Sequence, residues 1–331
     1  MIRQISLYVA IPVIVGLGVL ETVLGSASMS WGALKTGFWA GPHSHDIAAR
    51  ILWSLRIPRF FLAFLTGATL AGAGALLQAA TRNPLADPFL FGLSSGAATG
   101  AVAVIVLCGD LLGIWTAAVG ASVGAFLATG ALLLLIVFRR KNNLAVSTER
   151  VLLSGLAVSF IFSTLTNLLI FWGDRNTAQS VLFWTMGSFS GASWSALPVV
   201  GLGFLPVLLG GLAYRRELDA LMAGEETAAS LGIHIQKLRL CVLALCAFGC
   251  AMTVALCGPI GFVGLIVPHL VRPIWGSSLK GSFMPAMVAG GMLTVMADIL
   301  SRCVLPSQEL PVGIVISAIG AAFLLVLLLR R

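Results

Sequence analysis

Apolar blocks follow one another along the chain, separated by short polar breaks. They fall near 5–24, 60–80, 89–108, 112–138, 151–172, 195–214, 240–257, 259–274, 283–301 and 312–329. Blocks of about 20 residues match the hydrocarbon core of a bilayer when helical. None alternates apolar and polar residues over about ten positions, as a membrane β-barrel requires. The pattern predicts an all-α polytopic membrane protein, with about ten transmembrane helices in one domain over 1–331. The eighth block is short and carries Pro259 and Pro268. A shorter amphipathic piece near 177–190 reads as a half-helix on one surface.

The longest polar interruption in the second half is 217–239, ELDALMAGEETAASLGIHIQKLR. Leu218, Leu221 and Met222 fall at i, i+3, i+4, one face of a helix. Gly224 and Gly232 can each end a short helix. Glu225 and Glu226 suit the positive end of a second helix dipole. The stretch therefore predicts two short helices outside the membrane. Spacing alone does not separate a working surface from a solvated connection.

Composition agrees with the pattern. The 331 residues are 59% hydrophobic and 10% charged, with a mean hydropathy of +1.03. A soluble domain carries about 25% charged residues. The net charge of +8 sits at the ends of the apolar blocks, where topology uses it, so nucleic acid is not a partner. With the N-terminus inside, the inner breaks hold Arg3, Arg82, Arg139, Arg140, Lys141, Arg150, Arg215, Arg216, Lys237, Arg239, Arg272, Lys280, Arg330 and Arg331. The outer breaks hold only Lys35, Arg50, Arg56, Arg59, Arg175 and Arg302. Both termini and the 217–239 stretch are then cytoplasmic. The N-terminal block, followed by small residues at 25–28, is long for a signal peptide and is expected to stay as a first span.

Candidate chemistry is sparse. No G-x-x-x-x-G-K-[ST] stretch occurs, so the chain has no P-loop for ATP. No Ser/His/Asp or paired-carboxylate set suggests an enzyme. Arg56, Arg59 and Arg302 lie on the outer side, against the charge bias. They suit either docking of an acidic partner or snorkelling to lipid headgroups. Asp298 precedes Arg302 by four residues, the spacing of a local ion pair. Ser159, Ser163 and Asn167 form a polar stripe that either lines an aqueous path or bonds a neighbouring helix. Gly67, Ala71 and Ala75 make a small-residue face for close helix packing. Asn83 to Pro88 reads as a turn, with Asp87 capping the next span. His269 reads as a structural histidine, and His43 and His45 with Asp46 as an outer loop. Cys241, Cys246, Cys250 and Cys257 read as small core residues. Carboxylates at the midplane would suggest an ion-coupled secondary transporter, the alternative class, but Glu21 and Asp298 fall near an outer end.

Several motifs in order resemble one family: Arg56-Ile-Pro-Arg59, Gly74-Ala-Leu-Leu-Gln78, Arg82-Asn-Pro-Leu-Ala-Asp-Pro88, Gly92-Leu-Ser-Ser-Gly96, Gly258-Pro-Ile-Gly-Phe-Val-Gly-Leu-Ile-Val-Pro-His269 and Glu309-Leu-Pro-Val-Gly313. Together, over about 50–330, they resemble the FecCD family, permease subunits of type II ABC importers for ferric siderophores, haem and vitamin B12. The resemblance implies a homodimeric inner-membrane permease with the pathway between its two subunits. It implies two cytoplasmic ATPase subunits, which hold ATP and Mg, and an external substrate-binding protein; this chain itself needs no cofactor. Arg56, Arg59 and Arg302 match the family's docking arginines. Leu218, Leu221, Met222, Glu225, Glu226, Leu231 and Gly232, within a segment at about 217–236, match its ATPase-coupling helices. Ser159, Ser163 and Asn167 match its pathway-lining span.

Overall fold

The computed structural model describes residues 2–24, 29–108, 115–141, 148–173, 175–305 and 308–329. The small-residue run at 25–28, and Arg330 and Arg331, lie outside these. The described residues fold into helices: α1 Ile2–Val23, α2 Trp31–Ala40, α3 Ile47–Ile51, α4 Ile57–Thr81, α5 Leu93–Cys108, α6 Trp115–Lys141, α7 Thr148–Trp172, α8 Arg175–Thr185, α9 Leu197–Ala223, α10 Glu225–Ser230, α11 Ile235–Cys257, α12 Val263–Trp275, α13 Leu279–Cys303 and α14 Val312–Leu329. No strand occurs among them. Seven helices are long and apolar enough to cross a bilayer, and three shorter apolar ones, Ile11–Val23, Leu93–Cys108 and Val263–Trp275, accompany them.

α4 is the axis of the bundle. It packs against α9, α11, α12 and α13, and 78% of its apolar window is buried. The expected small-residue face is the reason. A Cβ on Gly67 would overlap Thr294 and Gly290 of α13, and one on Gly290 would overlap Ala71. Further along, a Cβ on Gly74 would overlap Gly264 of α12. Backbones approach this closely only where side chains are absent. Thr294 Oγ1 also donates to Ala63 O across the same contact, at 2.7 Å. α5 and α6 meet in the same way through Gly96 and Gly100 against Gly120 and Gly124.

Two irregular turns set the ends of α4. A π-helical turn, Leu52–Arg56, joins α3 to α4. It lies just ahead of Pro58, which cannot donate to the ladder. At the other end Arg82 adopts a left-handed φ of 52°, and Asn83 N donates to Gln78 O at 3.1 Å, closing the helix before Pro84. The chain then turns at Asp87, which caps the short turn Pro88–Phe91 through Phe89 N at 2.9 Å rather than the next span directly.

The 217–239 stretch differs from its expected form in one respect. α9 continues unbroken to Ala223, so the first expected short helix is the end of a long one. Gly224 (φ 150°) stops it, α10 follows as the second, and Gly232 (φ 77°) turns the chain into α11. Leu218 and Leu221 are fully buried and Met222 packs against the core. Their face points into this chain, because α9 needs it to seal the lower core. The 177–190 half-helix is present as α8.

Candidate functional site

At the end of the bundle that the charge bias makes outer, α1, α4, α13 and the segment before α14 bring together three arginines and three carboxylates. Arg59 forms a two-pronged pair with Asp298, Nε to Oδ2 and Nη2 to Oδ1, each at 2.9 Å. Its third nitrogen, Nη1, reaches Glu309 Oε2 at 3.0 Å. Arg302 Nε lies 3.2 Å from Asp298 Oδ2, the expected i, i+4 pair, and its Nη2 pairs with Glu21 Oε1. Arg302 Nη1 also donates to Leu24 O at 3.1 Å, and Arg56 Nη1 donates to Thr22 O. Two of the arginines thus cap the orphan carbonyls at the end of α1, where a cation is favoured by the helix dipole. Glu21 and Asp298 are fully buried, and Arg56 and Arg302 nearly so. Burial is tolerated where charges are paired and hydrogen-bonded, as Asp298 and Arg59 are; Glu21 pairs with Arg302, but its Oε2 is buried with no hydrogen-bond partner. Among these side chains Glu309 stands apart: it is 33% exposed and sits on a loop.

At the opposite end of α4 the 217–239 stretch is fastened to the bundle by two polar links. Asp219, near the end of α9, caps the start of α13. Its Oδ1 accepts from Leu279 N at 2.6 Å, and its Oδ2 from Ser278 Oγ at 2.6 Å. Ser278, the N-cap residue of α13, supplies no side-chain cap of its own. The second link is Arg239, buried on α11. Its Nε donates to Ala80 O at 2.9 Å, and its Nη2 pairs with Glu225 Oε1 of α10 at 2.8 Å. α10 is thereby tied to the C-terminal end of α4, while its outer face, Glu226, Thr227, Ser230 and Leu231, is exposed. These links join residues far apart in sequence, so no local spacing announces them.

A model of the FecCD transport family matches residues 13–330. The chain belongs to the FecCD transport family. It is 34% identical over 319 residues to the hemin transport system permease protein HmuU of Yersinia pestis, covering 95% of this chain and 94% of that protein. It is 38% identical over 315 residues to the cobalamin import system permease protein BtuC of Halobacterium salinarum, covering 92% and 81%. Among solved structures it is similar to an inward-facing metal-chelate-type ABC transporter, at 28% identity and a TM-score of 0.84, covering 99% of this chain and all of that one.

In this FecCD permease the polar stripe lies on α7, of whose apolar window only 11% is buried. Ser163 and Asn167 are exposed, and Ser159 is half-buried with its hydroxyl donating to Gly155 O of its own helix at 3.0 Å. The inner face of α7 is held instead by Thr166, whose Oγ1 lies 2.8 Å from Thr99 Oγ1 of α5. The stripe faces away from its own bundle. Elsewhere, a cleft of about 440 Å³ opens beside Glu309, lined by Phe183, Trp184, Ser188, Ser190, Cys257 and Leu310 among others. His269 meets Phe323 edge-on. Asp46 caps α3, and no group of three metal-ligating side chains occurs among the described residues. Cys108 and Cys303 are free thiols.

Proposed function

We propose that this chain is the permease subunit of an ATP-driven importer that carries an iron chelate or a corrinoid across the inner membrane by alternating access. Two copies pair around a pathway. The three shorter apolar helices complete ten spans, with both termini cytoplasmic. Two cytoplasmic ATPase subunits, holding ATP and Mg, attach below, and a substrate-binding protein docks above. The observation that carries the proposal is the manner in which α10 is held. It offers an exposed polar face to a partner and is fixed to α4 through Glu225 and Arg239, beside the Asp219 cap on α13. A force on α10 thus reaches α4 through Arg239 of α11, while α9, which leads into α10, caps α13 through Asp219; α4 and α13 meet closely at Gly67 and Gly290. Glu226, Thr227 and Leu231 meet the ATPase, while Leu218, Leu221 and Met222 stiffen the joint from inside. The stripe of Ser159, Ser163 and Asn167 faces the pathway between the two copies. Weakly polar side chains suit a path that must release its cargo. Arg56, Arg59 and Arg302 mark the docking corner.

Uptake into cells tests the energy source. Transport is expected to stop when the partner ATPase is deleted and to survive collapse of the proton gradient. Transport that persists without the ATPase and fails with the gradient overturns the proposal.

A further inference from the structure

At the docking corner Arg59 already has carboxylate partners within its own chain. Three arginines face three carboxylates of the same chain, so their formal charges balance. One of the six groups is placed differently from the rest. Asp298 is fully buried, gripped by both prongs of Arg59 and by Arg302. Glu21 is fully buried beside Arg302. Glu309 makes one contact, Arg59 Nη1 at 3.0 Å, from a half-exposed position on a loop. A partly exposed single ion pair of this kind is worth at most about 1 kcal/mol, whereas a close charge pair desolvated at an interface couples by about 1.5–7 kcal/mol, so a docking carboxylate displaces Glu309 with a net gain. Glu309, Leu310 and Pro311 also line the 440 Å³ cleft, together with Phe183 and Trp184. This segment is held to α13 by Leu310 N, which donates to Ser301 O at 2.9 Å.

We propose that Glu309 is an exchangeable counter-ion: a carboxylate of the binding protein takes its place on Arg59. The inference rests on the docking role of this corner. Until the exchange occurs Glu309 occupies the third nitrogen of Arg59. Asp298 holds the other prongs of Arg59 throughout, so the guanidinium does not move when its third partner changes.

The test is a double-mutant cycle. The purified, substrate-loaded binding protein of the same transport system is titrated onto the permease–ATPase complex in nanodiscs at low ionic strength. Glu309→Gln is expected to tighten docking by about two- to fivefold, because Arg59 no longer has a competing partner. Arg59→Gln is expected to weaken docking by at least about tenfold. The double variant is expected to dock like Arg59→Gln alone, since Glu309 acts only through Arg59. If Arg59→Gln does not fold, Arg59→Gln with Asp298→Asn removes both members of the buried pair and serves as the reference. Unchanged docking in the Arg59 variant overturns the docking role itself. Weakened docking there, with Glu309→Gln unchanged or weaker, overturns only the exchange. Additive effects in the double variant also overturn it, because they make Glu309 a distant repulsive charge and not an occupant of the arginine.

Discussion

At the scale of single residues, buried charge is the governing feature. Arg59→Ala leaves Asp298 buried with one prong of support, and breaking such a pair costs roughly 3–5 kcal/mol. The expected outcome is a large drop in thermal stability of the purified permease, mostly recovered in Arg59→Gln with Asp298→Asn. Asp87 gives a pH-dependent counterpart. Burial pushes its carboxyl up from the ordinary 3.8 to about 6, opposed by the backbone amides of Phe89 and Leu265. The folded chain therefore holds this proton more readily than the unfolded chain. Its contribution is full below about 3.8 and is lost as pH rises through about 6, a span of about 3 kcal/mol. Between pH 4 and 7 the stability of the wild type is expected to fall relative to that of Asp87→Asn, as read from paired melting curves. A constant difference contradicts the burial account. The Asp298–Arg302 pair was legible because four residues on a helix bring two side chains together. The partners Arg59 and Glu309, 250 positions apart, were not, because only the assembled bundle makes them neighbours.

At the scale of elements, the apolar periodicity gave the helices and the glycines gave their contacts. The small-residue face was readable, and its Gly67 and Ala71 meet Gly290 in the α4–α13 seam. The pairs Gly96/Gly100 and Gly120/Gly124 carry the same four-residue signal and join α5 to α6. What stayed hidden was direction. Leu218 and Leu221 showed a helical face, but nothing local told whether it turned inward, and the long α9 turns it into the core. Glycine substitutions separate seam from surface. Gly67→Ala places a methyl group against the backbone of α13 and is expected to destabilise by about 1–3 kcal/mol or more. Gly130→Ala, on α6 with nothing within 4 Å of the added atom, is expected to be neutral or to stabilise by up to about 1 kcal/mol. Thermal unfolding of the two variants side by side checks this, and equal losses contradict the seam.

At the scale of the whole molecule, α4 and α13 form a rod with a polar joint at one end and the charged corner at the other. α4 is 25 residues long, about 37 Å at 1.5 Å per residue. In the proposed coupling, a displacement of α10 reaches α4 through the Glu225–Arg239 pair and the Arg239–Ala80 bond. The two attachments, Asp219 of α9 to α13 and Arg239 of α11 to α4, are where that transmission is open to removal. The direct measurement is the ratio of substrate imported to ATP hydrolysed, in proteoliposomes holding the permease, its ATPase and the binding protein. Asp219→Asn and Arg239→Gln are expected to leave ATPase assembly and hydrolysis in place while lowering the ratio by at least about tenfold when combined. An unchanged ratio in a fully assembled double variant contradicts the account.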